Sequence, residues 1–459
     1  MNEGMKKEII TALWKLFHLH GFELVRRKNR HLKKKICKKI GTSYKCVKDA
    51  ENTGDSHGKF ALIVASVASM IDQFNIPNIK LLISMGYNVD VATNFIKGST
   101  CTNVKIKGLL KLLDELDVDC YQIDFDRKGT DIIAGLKSFK QLDDVVKGIA
   151  TPVNITRHHL ISHIDGRQYS FIHSHSPIGG VVGRVIGKKN GIKNIYTAHG
   201  FHFYDGAPKK NWLIYYPIEK GLSYITDVLI TINKEDYRRA KVKFCAKKTV
   251  YIPGVGVDTE KFDSGLVEPE EKRKELGVNV DTILLLSVGE LIPRKNHGAV
   301  IRALSKFPSS NFIYFIAGKG ELEKELKILV RDLGMDNNVQ FLGFRADVSE
   351  LCQAADLFIL PSHQEGLSLA LMEAIACETP VICSDIRGNT DIVKGRECIF
   401  DGDSVDDIVR VLTPLLSGAR LDIKEKLASN VKANKKVLTA YQLIKVENRM
   451  KNEFVALEG

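Results

Sequence analysis

The chain has 459 residues, of which 44% are hydrophobic and 27% charged, with a net charge of +12. That length exceeds one ordinary core and favours two domains, and no run approaches the roughly 18 consecutive apolar residues of a membrane-spanning helix. Nine scattered cysteines, an odd number with no Cys-x-x-Cys pair, argue against a disulfide framework or a zinc knuckle.

The charge is concentrated at the start, where residues 1–50 carry 14 Lys and Arg against 4 Asp and Glu. Ile9, Ile10, Leu13, Trp14, Phe17 and Leu24 fall at helical spacings, and Arg26 to Lys39 then hold nine basic residues in fourteen. An apolar stripe followed by a basic cluster suggests an anchor on a membrane surface. A solvated basic tail behind a small docking helix fits equally well. With few aromatic residues and no recognisable module, the segment is not expected to bind nucleic acid. The N-terminus lacks the order of a secretory signal, so a cytoplasmic protein, peripheral on the cytoplasmic face of the plasma (inner) membrane, is expected. The polar, breaker-rich TGDSHG at Thr53–Gly58 reads as a linker closing a basic amphipathic extension over residues 1–58.

From Lys59 strands alternate with helical stretches: FALIVASVAS a buried strand, NIPNIKLLISMG a helix ending at Gly86, YNVDVATNF a strand, and GLLKLLDELD an added helix. Ser170–His173, Asn194–Ala198 and Asp227–Ile232 supply further short strands. This alternation predicts an α/β domain with a parallel sheet over residues 59–252. After IPGVGVDTEKF it restarts, with TILLLSVGEL, NFIYFIAGKG, NVQFLGF, DLFILPS and TPVICSD as strands of a second domain, residues 253–430. Residues 431–459 read as helix suited to packing back across the junction. Two open parallel sheets imply a cleft, with ligands at the carboxyl ends of the strands.

Two clusters carry chemistry. In LFILPSHQEGLSLALMEAIACETPVICSD a strand ends at Pro361, a loop carries Glu365, and a helix is expected from Gly366 to about Cys377. A helix start at a strand end points amide groups of Gly366, Leu367 and Ser368 into the cleft, which favours a diphosphate. Eight helical residues between Glu365 and Glu373 would separate them by about 12 Å, long for the carboxylate pair of a glycoside hydrolase and suited to two ends of one extended ligand. In LLLSVGELIPRKNHG, Gly289 follows a buried strand, and Arg294 with Lys295 can offer a fork and a point charge to a diphosphate. His199, between the strand ending at Ala198 and Gly200, can face the cleft and hydrogen-bond a sugar hydroxyl or stabilise a departing phosphate. His173 and His175 alternate on one strand. Zinc held by them with His199 and His202 is not expected, because no carboxylate or thiolate companion accompanies them.

These clusters resemble the family 4 retaining glycosyltransferases. The Glu365-x7-Glu373 spacing matches that family's glutamate pair, and Arg294 with Lys295 its phosphate clamp. The resemblance covers roughly residues 59–445 and implies the GT-B fold: two Rossmann-like domains facing a cleft, with the donor held mainly by the second. It implies that Glu365 touches the transferred sugar, Glu373 holds the ribose, Gly318, Gly343 and Phe344 border the base, and His199 assists transfer. It further implies a metal-independent hexosyltransferase needing no cofactor beyond its donor substrate, expected to be a UDP-sugar. The segment FIHSHSPIGGVVGRVIGKKNGIKNIYTAHGFHFYDGAPKKNWLIYYPIEK resembles the branch that builds bacterial exopolysaccharide and capsule, implying a polyprenyl-linked glycan acceptor. Contacts to that acceptor are expected from His175, Phe201 and Tyr204, although aromatic core packing explains the last two nearly as well. The chain departs from many relatives after its first strand, where SVASMIDQFNIP replaces a Gly-Gly loop. Two other classes remain open: a nucleotide-sugar epimerase on the same fold, and a non-catalytic polyanion-binding protein using the basic leader.

Overall fold

Phe60–Val64 is buried at every position, as a central strand of a parallel sheet covered on both faces must be. It is β1 of a seven-stranded sheet with β2 (Asn88–Thr93), β3 (Asp119–Gln122), β4 (Tyr169–His175), β5 (Lys193–Ala198), β6 (Val228–Thr231) and β7 (Lys248–Tyr251). Their order is β3-β2-β1-β4-β5-β6-β7, and every pairing is parallel. A second, six-stranded sheet contains β8 (Ile283–Val288), β9 (Phe312–Ala317), β10 (Val339–Gly343), β11 (Leu357–Leu360), β12 (Val381–Ser384) and β13 (Ile399–Phe400), in the order β10-β9-β8-β11-β12-β13. The computed structural model describes residues 58–96, 102–126, 132–154, 168–262, 268–308 and 310–457, all within one compact unit, Gly58–Gly459. Apart from Gly58, the leader expected over residues 1–58 lies outside the described residues.

Each sheet reverses its winding once, between β1 and β4 and between β8 and β11, and such a reversal opens a crevice at the carboxyl ends of the strands. The loops after β5, β8 and β11 therefore stand where a ligand would sit. Three strands, β3, β7 and β13, were not expected from the pattern. All three lie at sheet edges and are short, with polar or half-exposed residues, so they carry little hydrophobic signal.

The glycine-free segment after β1 turns directly into helix Ala68–Phe74. Its entry is fixed by Ser176 at the end of β4, whose Oγ accepts the Ser66 amide at 3.1 Å and donates to Ser66 Oγ at 2.8 Å. The chain crosses from the first sheet to the second just after β7 and returns near residue 441. The two crossings are tied by the Tyr251 and Tyr441 hydroxyls, 3.0 Å apart, and by a bridge between Val257 and Gln442. After the return, helix Leu443–Val455 buries Val446, Met450 and Phe454, four residues apart on one face, in the core of the first sheet. Phe454 stacks on Phe171 of β4 with ring centroids 5.5 Å apart.

Candidate active site

The loop after β8 forms a short 3-10 turn, Pro293–Lys295, and both of its cations reach the loop after β11. Lys295 Nζ donates to Glu365 Oε1 at 2.7 Å, while Arg294 Nη1 donates to Glu365 Oε2 at 3.2 Å and to the Gln364 carbonyl at 2.8 Å. Burial of Glu365, only 6% exposed, opposes its ionisation. The charges of Lys295 and Arg294 more than offset that burial and hold the carboxyl below its usual range. At neutral pH the three groups therefore carry a net single positive charge, left over for an anionic ligand.

The helix expected to begin at Gly366 begins three residues later, at Leu369, and ends at Ala376. Ser368 is its N-cap, accepting the Leu371 amide at 3.3 Å, and caps of this kind prefer Ser outside the helix. Glu365 thus sits in the loop, and the helical separation expected between it and Glu373 does not apply. Gly366 and Leu367 also precede the helix. Gly366 is pressed against the other domain: a methyl group added there would lie 2.1 Å from the His199 carbonyl oxygen, closer than atoms approach without displacement. Glu373, half-buried on the second helical turn, has its pKa pushed up to about 7 by burial, which only Lys261 opposes.

On the facing domain His199 is half-buried, with its ring 5.2 Å from that of Phe74. Phe74 is supplied by the glycine-free segment after β1. Burial lowers the pKa of His199 to about 4, so its imidazole is neutral at pH 7 and acts there as a hydrogen-bonding group and not as a cation. His199 Nε2 and His175 Nδ1 are 3.0 Å apart, so one donates to the other. His173 lies behind them, its ring 4.1 Å from His175 and its Nε2 2.9 Å from Thr197 Oγ1.

Two residues expected to contact an acceptor are buried. His175 is 1% exposed, hydrogen-bonded to His199, and lines a small cavity with His199 and Phe74. Phe201 is 2% exposed and stacked on Phe203 at 4.7 Å in an aromatic core that also holds Phe244. Tyr204 is half-buried with the Arg387 guanidinium 4.5 Å above its ring.

Of the residues expected near the base, Gly318 lies backbone to backbone on Gly289, whose neighbour is the Lys295 stem. Gly343 takes a positive φ of 67° at the end of β10. Phe344 is 62% exposed, with Lys105 Nζ of the first domain 5.2 Å from its ring centre. Sequence reasoning passed over Arg387, Asp236, Lys261 and Phe74. The legible signal for Arg387 was its place after β12, in SDIRGN, where a cation and a glycine follow a strand end.

Residues 268–437 match the family model Glycosyl transferases group 1, and residues 97–233 match Glycosyl transferase 4-like. The chain is 36% identical over 349 residues to EpsD of Bacillus subtilis (strain 168), named a glycosyltransferase, across 74% of this chain and 82% of that protein. It is 29% identical over 306 residues to the UDP-Gal:alpha-D-GlcNAc-diphosphoundecaprenol alpha-1,3-galactosyltransferase of Escherichia coli, across 63% and 76% of the two chains. Among solved structures, Anabaena Alr3699/HepE in complex with UDP and glucose superposes with a TM-score of 0.64 at 16% identity, covering 87% of this chain and all of that one. The lipopolysaccharide glycosyltransferase WaaG does so with a TM-score of 0.58 at 18% identity, covering 86% and 98%. With two doubly wound parallel sheets facing one crevice and both domains matched, the chain belongs to the GT-B glycosyltransferases, pairing a 4-like N-terminal domain with a group 1 C-terminal domain.

Proposed function

We propose that the chain transfers a hexose from a nucleotide diphosphate sugar, with retention and without a metal, to a hydroxyl of a polyprenyl-linked glycan in exopolysaccharide or capsule assembly. The observation that carries this reading is the Arg294–Lys295–Glu365 cluster, which meets the His199 loop of the other domain at Gly366. The residual positive charge and the start of helix Leu369–Ala376 just beyond Glu365 suit a diphosphate and stabilise the charge that develops on it as the glycosidic bond breaks. Glu365 then faces the transferred sugar, Glu373 takes the ribose hydroxyls, and neutral His199 donates to a sugar hydroxyl or to the leaving phosphate. The leaving phosphate accepts the acceptor's proton on the same face of the sugar, so configuration is retained.

The relatives support the acceptor class: one is named for a diphosphoundecaprenol-linked substrate. A membrane-facing surface is available on helix Lys209–Ser223, which follows the His199 loop. Leu213 (79% exposed), Ile214 and Ile218 point outward from it, and Lys209 and Lys210 are exposed at its start. Apolar side chains bordered by lysines suit an anionic lipid surface. Replacing Leu213 and Ile214 together by Glu should weaken co-sedimentation with phosphatidylglycerol vesicles by about tenfold or more, since each side chain contributes about 1.5–3 kcal/mol when fully buried. Unchanged sedimentation would remove this face from the reading.

The deciding experiment incubates the chain with a panel of UDP- and GDP-sugars and a polyprenyl-diphosphate-linked N-acetylhexosamine. Transfer of one sugar, abolished in His199→Ala, is expected. Conversion of the donor to its epimer without acceptor would replace transfer by epimerisation.

A further inference from the structure

Arg387 follows β12 in the second domain, yet its side chain is 4% exposed and engages the first domain's loop and helix. Its Nη1 donates to Asp236 Oδ1 and its Nη2 to the carbonyl of Phe201. Asp236, wholly buried on helix Lys234–Lys243, uses its other oxygen to accept the Phe201 amide at 2.9 Å and the Asn233 side chain at 2.8 Å. Both backbone polar groups of Phe201 are thus held by this one ion pair, two residues after His199. On the other side, Gly388 adopts a φ of 81°, and a methyl group there would lie 2.5 Å from the Gly366 carbonyl oxygen. Gly366 in turn rests on the His199 carbonyl. The contacts therefore run in a closed loop from His199 through Phe201, Asp236, Arg387 and Gly388 to Gly366 and back to His199.

The geometry points to Arg387 and Asp236 as an interdomain latch that sets the register between His199 and the Glu365–Gly366 loop, which makes Arg387 a positioning residue for sugar transfer. This inference rests on the site reading above. A planar guanidinium can serve Asp236 and the Phe201 carbonyl at once, whereas a lysine ammonium reaches both only by giving up that fork geometry. Removing Arg387 alone would leave the buried Asp236 carboxylate with the more distant Arg239, 3.8 Å away, in place of its close partner, so a variant that removes both charges separates the latch from simple misfolding.

The test uses the full chain as wild type, Arg387→Lys, and the double variant Arg387→Met with Asp236→Asn, each shown folded by circular dichroism. Three measurements are made: UDP affinity by calorimetry, the radius of gyration by small-angle scattering with UDP bound, and steady-state kinetics giving kcat and KM for the UDP-sugar that the wild type turns over. The latch predicts UDP affinity within about threefold of wild type, a larger radius in the double variant, and kcat lowered about 100-fold with donor KM little changed, the size expected when reacting groups are misplaced by an ångström. Arg387→Lys should fall between the two. A folded double variant with wild-type radius and kcat, or one whose UDP affinity falls as far as its kcat, would overturn the inference. The scattering and UDP arms need no acceptor, so absence of sugar transfer in the wild type would count against the proposed function and leave the latch testable.

Discussion

Lys295→Ala is expected to reduce sugar transfer by about 100- to 1,000-fold, the size seen when one preorganised donor to a developing oxyanion is removed. Lys295 holds the Glu365 carboxylate at 2.7 Å and, in the proposed site, also supplies charge for the donor diphosphate. Its loss leaves a buried carboxylate with Arg294 alone at 3.2 Å. Removing one member of a buried pair costs about 3–5 kcal/mol, and the lower end applies because Arg294 remains. The variant should therefore also melt earlier. Adding Glu365→Gln to it should restore much of the melting temperature and none of the turnover, since the uncompensated charge disappears while the phosphate contact stays missing. Steady-state kinetics and thermal melts of the two variants check this, and a Lys295→Ala enzyme with normal turnover would remove the diphosphate from this cluster.

Donor binding should depend on pH through Glu373. Its folded pKa of about 7 stands above the ordinary value of 4.5, so between those values the folded chain binds a proton that the unfolded chain has released. Stability contributed by this group is consequently highest at acid pH and declines as pH rises from 4.5 towards 7, by about 3 kcal/mol in all. A ribose that donates two hydroxyls to the carboxylate favours the ionised form, so affinity should climb with pH and level off above 7. Relative to pH 8, affinity at pH 5.5 should be about 30-fold weaker, because only a few per cent of the group is then ionised. The β-phosphate of UDP titrates nearby, so the measurement is the wild-type profile divided by that of Glu373→Gln, in which the phosphate contribution cancels. A flat ratio would separate Glu373 from the ribose.

The cluster that brings Arg294, Lys295 and Glu365 together was legible in the chain, because charged residues at the ends of strongly apolar strands are conspicuous, and strand ends are where a doubly wound sheet exposes its loops. Burial was less legible. His175 ends β4 and Phe201 stands three residues beyond β5, positions that look open, but the alternation of a strand says which face a residue takes and not what covers that face. Helix Leu443–Val455 covers part of it, from nearly 270 residues along the chain. The helix start was misplaced for a local reason: Gly366 looks like a helix start, while its backbone is engaged with His199 and the cap falls to Ser368.

Hydrophobic periodicity by itself determined that this protein builds two parallel sheets and which loops lie at their carboxyl ends, because burial on both faces imposes continuous apolar runs on central strands. Tertiary structure alone decided which side chains meet across the crevice. Asp236 pairs with Arg387 over 151 residues and Gly366 meets His199 over 167, contacts that depend on how the two sheets are set against each other. Nothing in the local propensities of either segment encodes that setting. It is fixed by the buried ion pair, the close glycine contacts and the returning helix, each of which becomes favourable only when distant parts of the chain have come together.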